Sequence, residues 1–186
     1  MRNYIVGLLL LGILYSCTSD KEIELETDYA QYVNPFIGNA DNGHTFPGAC
    51  APFGMIQAGP ESGNGSWRYC SGFNYNDDEI FGFAQNHLNG TGCPDLGDIL
   101  ILPFSGTMSD NNYKSRIDKS KQPASPGYYA VTLPDLGINV EITATERTAF
   151  HKYTYQNGGE ANLLLDLQSG LVTSSQAIHD RVLLAE

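Results

Sequence analysis

Between Ile138 and Thr145 the chain alternates without a break: Ile138, Val140, Ile142 and Ala144 are apolar, and Asn139, Glu141, Thr143 and Thr145 are polar. A period of two predicts a β-strand with one face in a core and the other in water. Tyr128 to Leu133 predicts its partner, because Pro134-Asp135-Leu136-Gly137 between them puts Pro and Gly where a tight hairpin turn needs them. Thr148 to Tyr155 pairs back across Glu146-Arg147, and Ala161 to Leu167 follows the turn Asn157-Gly158-Gly159, so the pattern predicts an antiparallel meander. Ile99-Leu100-Ile101-Leu102, closed by Pro103, is the continuous apolar run of a strand buried on both faces. Ser174 to Ala185 is the one stretch that predicts the start of a helix, and Tyr29 to Asp98 reads mostly as loops.

The first residues follow a different logic. Met1-Arg2-Asn3 is a short positive start, and Tyr4 to Tyr15 is an apolar run too short to span a bilayer, which is the core of a signal peptide. Leu14-Tyr15-Ser16-Cys17 resembles the bacterial lipobox, so residues 1–16 are expected to be a lipoprotein signal peptide and Cys17 an acylated membrane anchor; an ordinary signal peptide with an incidental cysteine is the alternative. Residues 17–28 are polar and acidic without a period, the composition of a flexible tether. Residues 29–186 then form one domain, expected to be incomplete because the chain stops at Glu186 without a terminating signal and would leave unpaired strand edges.

Composition narrows the partners. With 186 residues, 41% hydrophobic and 17% charged, the chain has the balance of a folded domain. Its net charge of -11 repels nucleic acid, so no nucleic-acid partner is expected. Of the 4 cysteines, Cys17 is assigned to the anchor, and Cys50, Cys70 and Cys93 are one too many for a single disulfide; their pairing stays open. No CxxC or His/Cys zinc spacing occurs.

The chemistry concentrates in four Gly-rich segments: Asn34 to Gly38, Asp41 to Met55, Gly63 to Phe73 and Gln85 to Asp98. Each mixes Gly with His, Asp, Asn, Arg and aromatics, which suits sugar binding: a flat ring for the C–H face of a pyranose, and planar polar groups for its hydroxyls. Trp67, beside Arg68, is the candidate platform, with a core-capping tryptophan as the competing reading. His44 and His87 lie in Gly/Asn loops, which predicts exposed polar roles, whereas His151 on a strand and His179 near the end read as structural. Asp95 and Asp98 are expected to cap a turn and orient neighbours rather than to form a catalytic carboxylate pair. Asp77-Asp78-Glu79 lacks the spacing of a calcium loop and reads as a solvated turn. Gly-x-Ser-x-Gly, P-loop, dinucleotide and HExxH motifs are absent.

Taken in order, Tyr32-Val33-Asn34-Pro35-Phe36-Ile37-Gly38, Gly43-His44-Thr45-Phe46-Pro47-Gly48-Ala49 with Pro52-Phe53-Gly54-Met55, Trp67-Arg68-Tyr69-Cys70-Ser71-Gly72, and His87-Leu88-Asn89-Gly90-Thr91-Gly92-Cys93-Pro94-Asp95-Leu96-Gly97-Asp98 resemble the N-terminal domain of glycoside hydrolase family 92, the bacterial exo-α-mannosidases. The resemblance covers about Tyr29 to Leu171. It implies an all-β fold, an antiparallel β-sandwich of the supersandwich type, without the family's C-terminal helical toroid. It also implies a calcium-dependent, inverting exo-α-mannosidase, α-1,2-type, acting on mannose-rich glycans from the periplasm or cell surface. The family's catalytic acid, base and most calcium ligands belong to the toroid, so no catalytic residue and no metal ligand is expected in this chain, and the missing C-terminal catalytic domain is its expected partner. What it would supply is one wall of the sugar pocket: Trp67 near the leaving-group sugar, with Arg68, His44, His87, Asp95 and Asp98 lining or bracing it. A stand-alone carbohydrate-binding lipoprotein and a non-functional truncated product are the alternatives.

Overall fold

The computed structural model describes residues 28–63, 66–90, 92–108, 113–167 and 169, and the backbone of 181–185. The expected signal peptide, Cys17 and all of the expected tether except Asp28 lie outside them. Twelve strands and three short 3₁₀ turns are present among the described residues, with no α-helix.

The strands are β1 (Ala49–Cys50), β2 (Gln57–Glu61), β3 (Glu79–Ile80), β4 (Gly82–Ala84), β5 (Leu100–Phe104), β6 (Ser115–Arg116), β7 (Ala124–Ser125), β8 (Tyr128–Leu133), β9 (Ile138–Ala144), β10 (Ala149–Tyr155), β11 (Asn162–Asp166) and β12 (Arg181–Ala185). They form a six-stranded sheet in the order β1-β2-β4-β5-β11-β12, a four-stranded sheet β10-β9-β8-β7 and a small β3-β6 pair. The pairings are antiparallel. β1 and β2 lie against β8 and β9, so the two large sheets face each other as a sandwich.

The predicted hairpin is found as β8 and β9, and its register explains the core. Tyr129 opposes Ile142, Val131 opposes Val140 and Leu133 opposes Ile138, and all six are buried. Ala58, Phe83, Leu102, Phe104 and Leu164 come to meet them from the other sheet. Phe83 and Tyr129 touch across the gap with ring centroids 6.5 Å apart. Removing each such side chain from water is worth about 1.5–3 kcal/mol, which makes this interface the main source of stability. Polar ties cross the gap as well. The His151 Nε2–H donates to Gln85 Oε1 at 3.0 Å, and the Tyr155 hydroxyl donates to the Asn162 carbonyl at 2.9 Å.

Three sequence expectations are corrected. The meander ends at β10: β11 crosses to the other sheet and inserts between β5 and β12. The physical reason is coverage. Leu163-Leu164-Leu165 is apolar on both faces and finds neighbours on both edges there, whereas β10 borders a sheet whose outer face carries exposed Phe150, Lys152 and Thr154. The run at Ile99 starts one residue later and ends two later than expected. Ile99 is exposed with φ of 57°, and Pro103 is taken into β5 where that strand pairs with β11 alone. The helix expected from Ser174 to Ala185 is not formed at its end, because residues 181–185 are β12, paired along their whole length with β11. Residues 174–180 lie outside the described ones.

Candidate functional site

Trp67 opens a 3₁₀ turn, Trp67–Tyr69, that is closed on itself and onto β2. The Cys70 thiol donates to the Trp67 carbonyl at 2.9 Å, the Gly72 N–H donates to Tyr69 O at 2.9 Å, and Ser62 N–H donates to Gly72 O at 2.7 Å. The indole itself is 59% exposed, so it does not cap the core. Its edge is fixed by two neighbours. The His44 ring stands perpendicular to it, at 90° with centroids 4.5 Å apart, an edge-to-face contact worth about 0.5–1.5 kcal/mol. On another side a Cβ at Gly92, whose φ is +69°, would fall 2.8 Å from the indole Cη2 and 3.3 Å from His44 Nδ1, so only glycine fits. The result is a shelf: a large ring held by its rim and open to solvent.

His44 is held in a left-handed backbone conformation, φ 58°, and its carbonyl accepts the Gly90 N–H at 2.6 Å. That conformation costs a non-glycine residue free energy and is tolerated where surroundings enforce it. Its Nε2 is buried without a hydrogen-bond partner among the described residues. An unpaired buried nitrogen costs about 1–3 kcal/mol.

Below the shelf lies a buried pair. His87 Nε2–H donates to Glu61 Oε2 at 2.6 Å, with the two side chains 1% and 3% exposed. Desolvation pushes the Glu61 carboxyl above its ordinary range, and the hydrogen bond and charge of His87 pull the other way. His87 also begins the loop that reaches Gly92, and it bridges to Leu96. Asn86 closes that loop, accepting Gly97 N–H on its carbonyl at 2.8 Å and Asp98 N–H on Oδ1 at 3.1 Å.

The structure therefore brings Trp67 and His44 into contact and sets His87 against Gly72, just past the Trp67 turn. Both histidines contradict the exposed role expected from their Gly/Asn loops: His44 is 8% and His87 2% exposed, because the loops fold over one another and bury what they carry. Arg68 turns to Asp77, 3.6 Å away, and to Asn74 Oδ1 at 3.4 Å. Asp95 is exposed, and its carboxylate accepts the neighbouring Leu96 N–H at 2.8 Å; Asp98 accepts the Gln85 N–H on its backbone carbonyl at 3.4 Å. Glu61 carries no sequence signal, since its partner is 26 residues away.

The described residues hold no group of three His, Cys, Asp or Glu able to take a metal ion. In the acidic run, Asp77, Asp78 and Glu79 are engaged by Arg68, Lys119 and Lys114. This donor set does not fit a calcium cage.

Comparison with known proteins adds the lineage. The family model for the glycosyl hydrolase family 92 N-terminal domain matches residues 32–183. A protein of Arthroderma benhamiae described as an uncharacterized secreted glycosidase is 34% identical over 177 residues, 87% of this chain and 22% of that protein. A family 92 α-mannosidase from Bacteroides thetaiotaomicron, solved alone and in complex with mannoimidazole, is 39% identical with a TM-score of 0.73, over 76% of this chain and 20% of that one. A family 92 inverting mannosidase from the same organism is 27% identical with a TM-score of 0.63, over 74% of this chain and 19% of its own. The chain thus spans about a fifth of the length of these relatives. A domain match over most of the chain and a shared sandwich at 39% identity lead to one lineage: the chain belongs to glycosyl hydrolase family 92, whose N-terminal domain it carries.

Proposed function

We propose that the chain is the N-terminal β-sandwich of an exported exo-α-mannosidase that cleaves mannose-rich glycans, α-1,2-linked ones among them, with inversion and with calcium. In this reading residues 1–16 are the signal peptide, Cys17 the lipid anchor, 17–28 the tether and 29–186 the domain. The similarity to mannosidases and to a secreted glycosidase supports it. The calcium ligands and the acid and base carboxyls are assigned to the longer protein's C-terminal domain, as the resemblance to family 92 implies.

The role of this chain is binding and orientation. The observation that carries it is the Trp67 shelf: an exposed indole whose rim is locked by His44 and Gly92 offers a rigid face to a sugar ring, and ordering it on binding costs little. The shelf is open, whereas a bound sugar needs most of its surface covered, so the facing wall comes from the rest of the enzyme. Arg68, Asp95 and Asp98 brace the loops around it, and His44 braces the indole by its edge-to-face contact.

The test is kinetic. In the full-length protein acting on α-1,2-mannobiose, Trp67→Ala lowers kcat/KM about tenfold, the loss of a stacking contact of about 1.4 kcal/mol. Unchanged kcat/KM in that variant removes the shelf from the pocket, and a full-length protein inert on every α-mannoside overturns the activity.

A further inference from the structure

We propose that Glu61 is a positioning residue for the Trp67 shelf, acting through His87. The inference rests on the reading of Trp67 as the sugar platform, and it assigns a role to a residue that touches no sugar.

Three pieces of chain meet at the pair. Glu61 is the last residue of β2, and its own carbonyl accepts Phe81 N–H at 2.8 Å, so its backbone is fixed by the sheet. The Trp67 turn is seated on the pair at Gly72: with φ of +80°, Gly72 lies so close that a Cβ there would be 2.4 Å from His87 Nε2 and 2.9 Å from Glu61 Oε2. The loop that holds the indole's rim starts at His87 and returns through Gly90, bound to His44, to Gly92 beneath Trp67. One hydrogen bond of 2.6 Å, buried from water, therefore sets the distance between the turn that carries the indole and the loop that grips it.

The chemistry explains why a polar pair does this rather than two apolar residues. Glu61 accepts in a fixed direction, so His87 has one ring orientation that satisfies its Nε2–H, and its Nδ1 has no partner among the described residues that would hold it otherwise. An apolar contact would keep the burial and lose the direction. Without the acceptor the imidazole turns in search of a partner, Gly72 loses its seat, and Gly92 moves away from Trp67.

Trp67 is the chain's only tryptophan, so its fluorescence reads the shelf without any sugar present. In the full chain, Glu61→Leu, which keeps the bulk and removes the acceptor, is expected to shift the emission to the red and to raise acrylamide quenching, while the thermal melt stays cooperative. Glu61→Gln keeps an acceptor oxygen and restores both values toward those of the unsubstituted chain. A cooperatively melting Glu61→Leu chain with unchanged emission and quenching overturns the proposal. If Glu61→Leu does not fold, the decision passes to Gly72→Ala, which leaves both polar groups in place and crowds the seat; it is expected to give the same red shift, and unchanged Trp67 emission there overturns the proposal. If the shelf passes this test and yet Trp67→Ala leaves kcat/KM of the full-length protein unchanged, that counts against the sugar reading and not against the Glu61 role.

Discussion

Acid should loosen this sandwich through one histidine, and replacing it should remove the effect. His151 projects from β10 toward the other sheet, where its Nε2–H reaches Gln85 Oε1 at 3.0 Å and its Nδ1 accepts the Tyr153 hydroxyl at 3.0 Å. Both bonds use the neutral ring, and burial lowers its pKa from 6.5 to about 4. The unfolded chain binds a proton at this position below about 6.5, whereas the folded chain resists until about 4. Its contribution is thus fully present above 6.5 and is lost as pH falls from there toward 4. At about 1.4 kcal/mol per unit, the whole interval is worth about 3 kcal/mol. Glu61 works in the opposite sense: its raised carboxyl favours the folded state as pH falls, so the total slope mixes the two. The comparison with His151→Phe isolates the histidine, because the phenyl ring keeps the volume and has nothing to titrate. Urea midpoints followed by circular dichroism at steps from pH 7 to 4.5 should fall more steeply for the natural chain than for the variant. Parallel curves for the two chains would refute the assignment of this acid sensitivity to His151.

Four further outcomes are expected. Ile142→Ala opens a cavity between the sheets and should cost about 2–5 kcal/mol in urea unfolding, whereas Glu141→Gln on the wet face of the same strand should leave the midpoint nearly unchanged. Gly92→Ala should move the Trp67 emission, since its Cβ would lie 2.8 Å from the indole; an unaltered spectrum would mean that the loop yields without disturbing the ring. Cys70, buried and with its thiol pushed up by desolvation, should resist alkylation in the folded chain and react once urea unfolds it, as peptide mass mapping will show. Cys17→Ala should release the protein from the membrane fraction, and continued firm anchoring would contradict the lipid attachment.

The alternation from Ile138 to Thr145 and the Pro-Gly turn before it determined the β8–β9 hairpin and its buried face, because a strand's side chains point by parity and a tight turn leaves the register no freedom. The Gly-rich motifs likewise determined the family and marked Trp67. What the sequence could not decide is where each strand finds its neighbour. β11 follows β10 by a short turn and yet pairs with β5, some sixty residues earlier, since coverage of its leucines on both faces outweighs proximity along the chain. The same limit hid the site. His44 and His87 stand among glycines and asparagines that look exposed, and they are buried only because three separate loops close over one another. Glu61 ends an ordinary short strand, and nothing near it in sequence announces a partner 26 residues away. Local periodicity reports which side of an element is apolar; burial and hydrogen-bond direction depend on what the folded chain brings to that side, and only the tertiary structure supplies it.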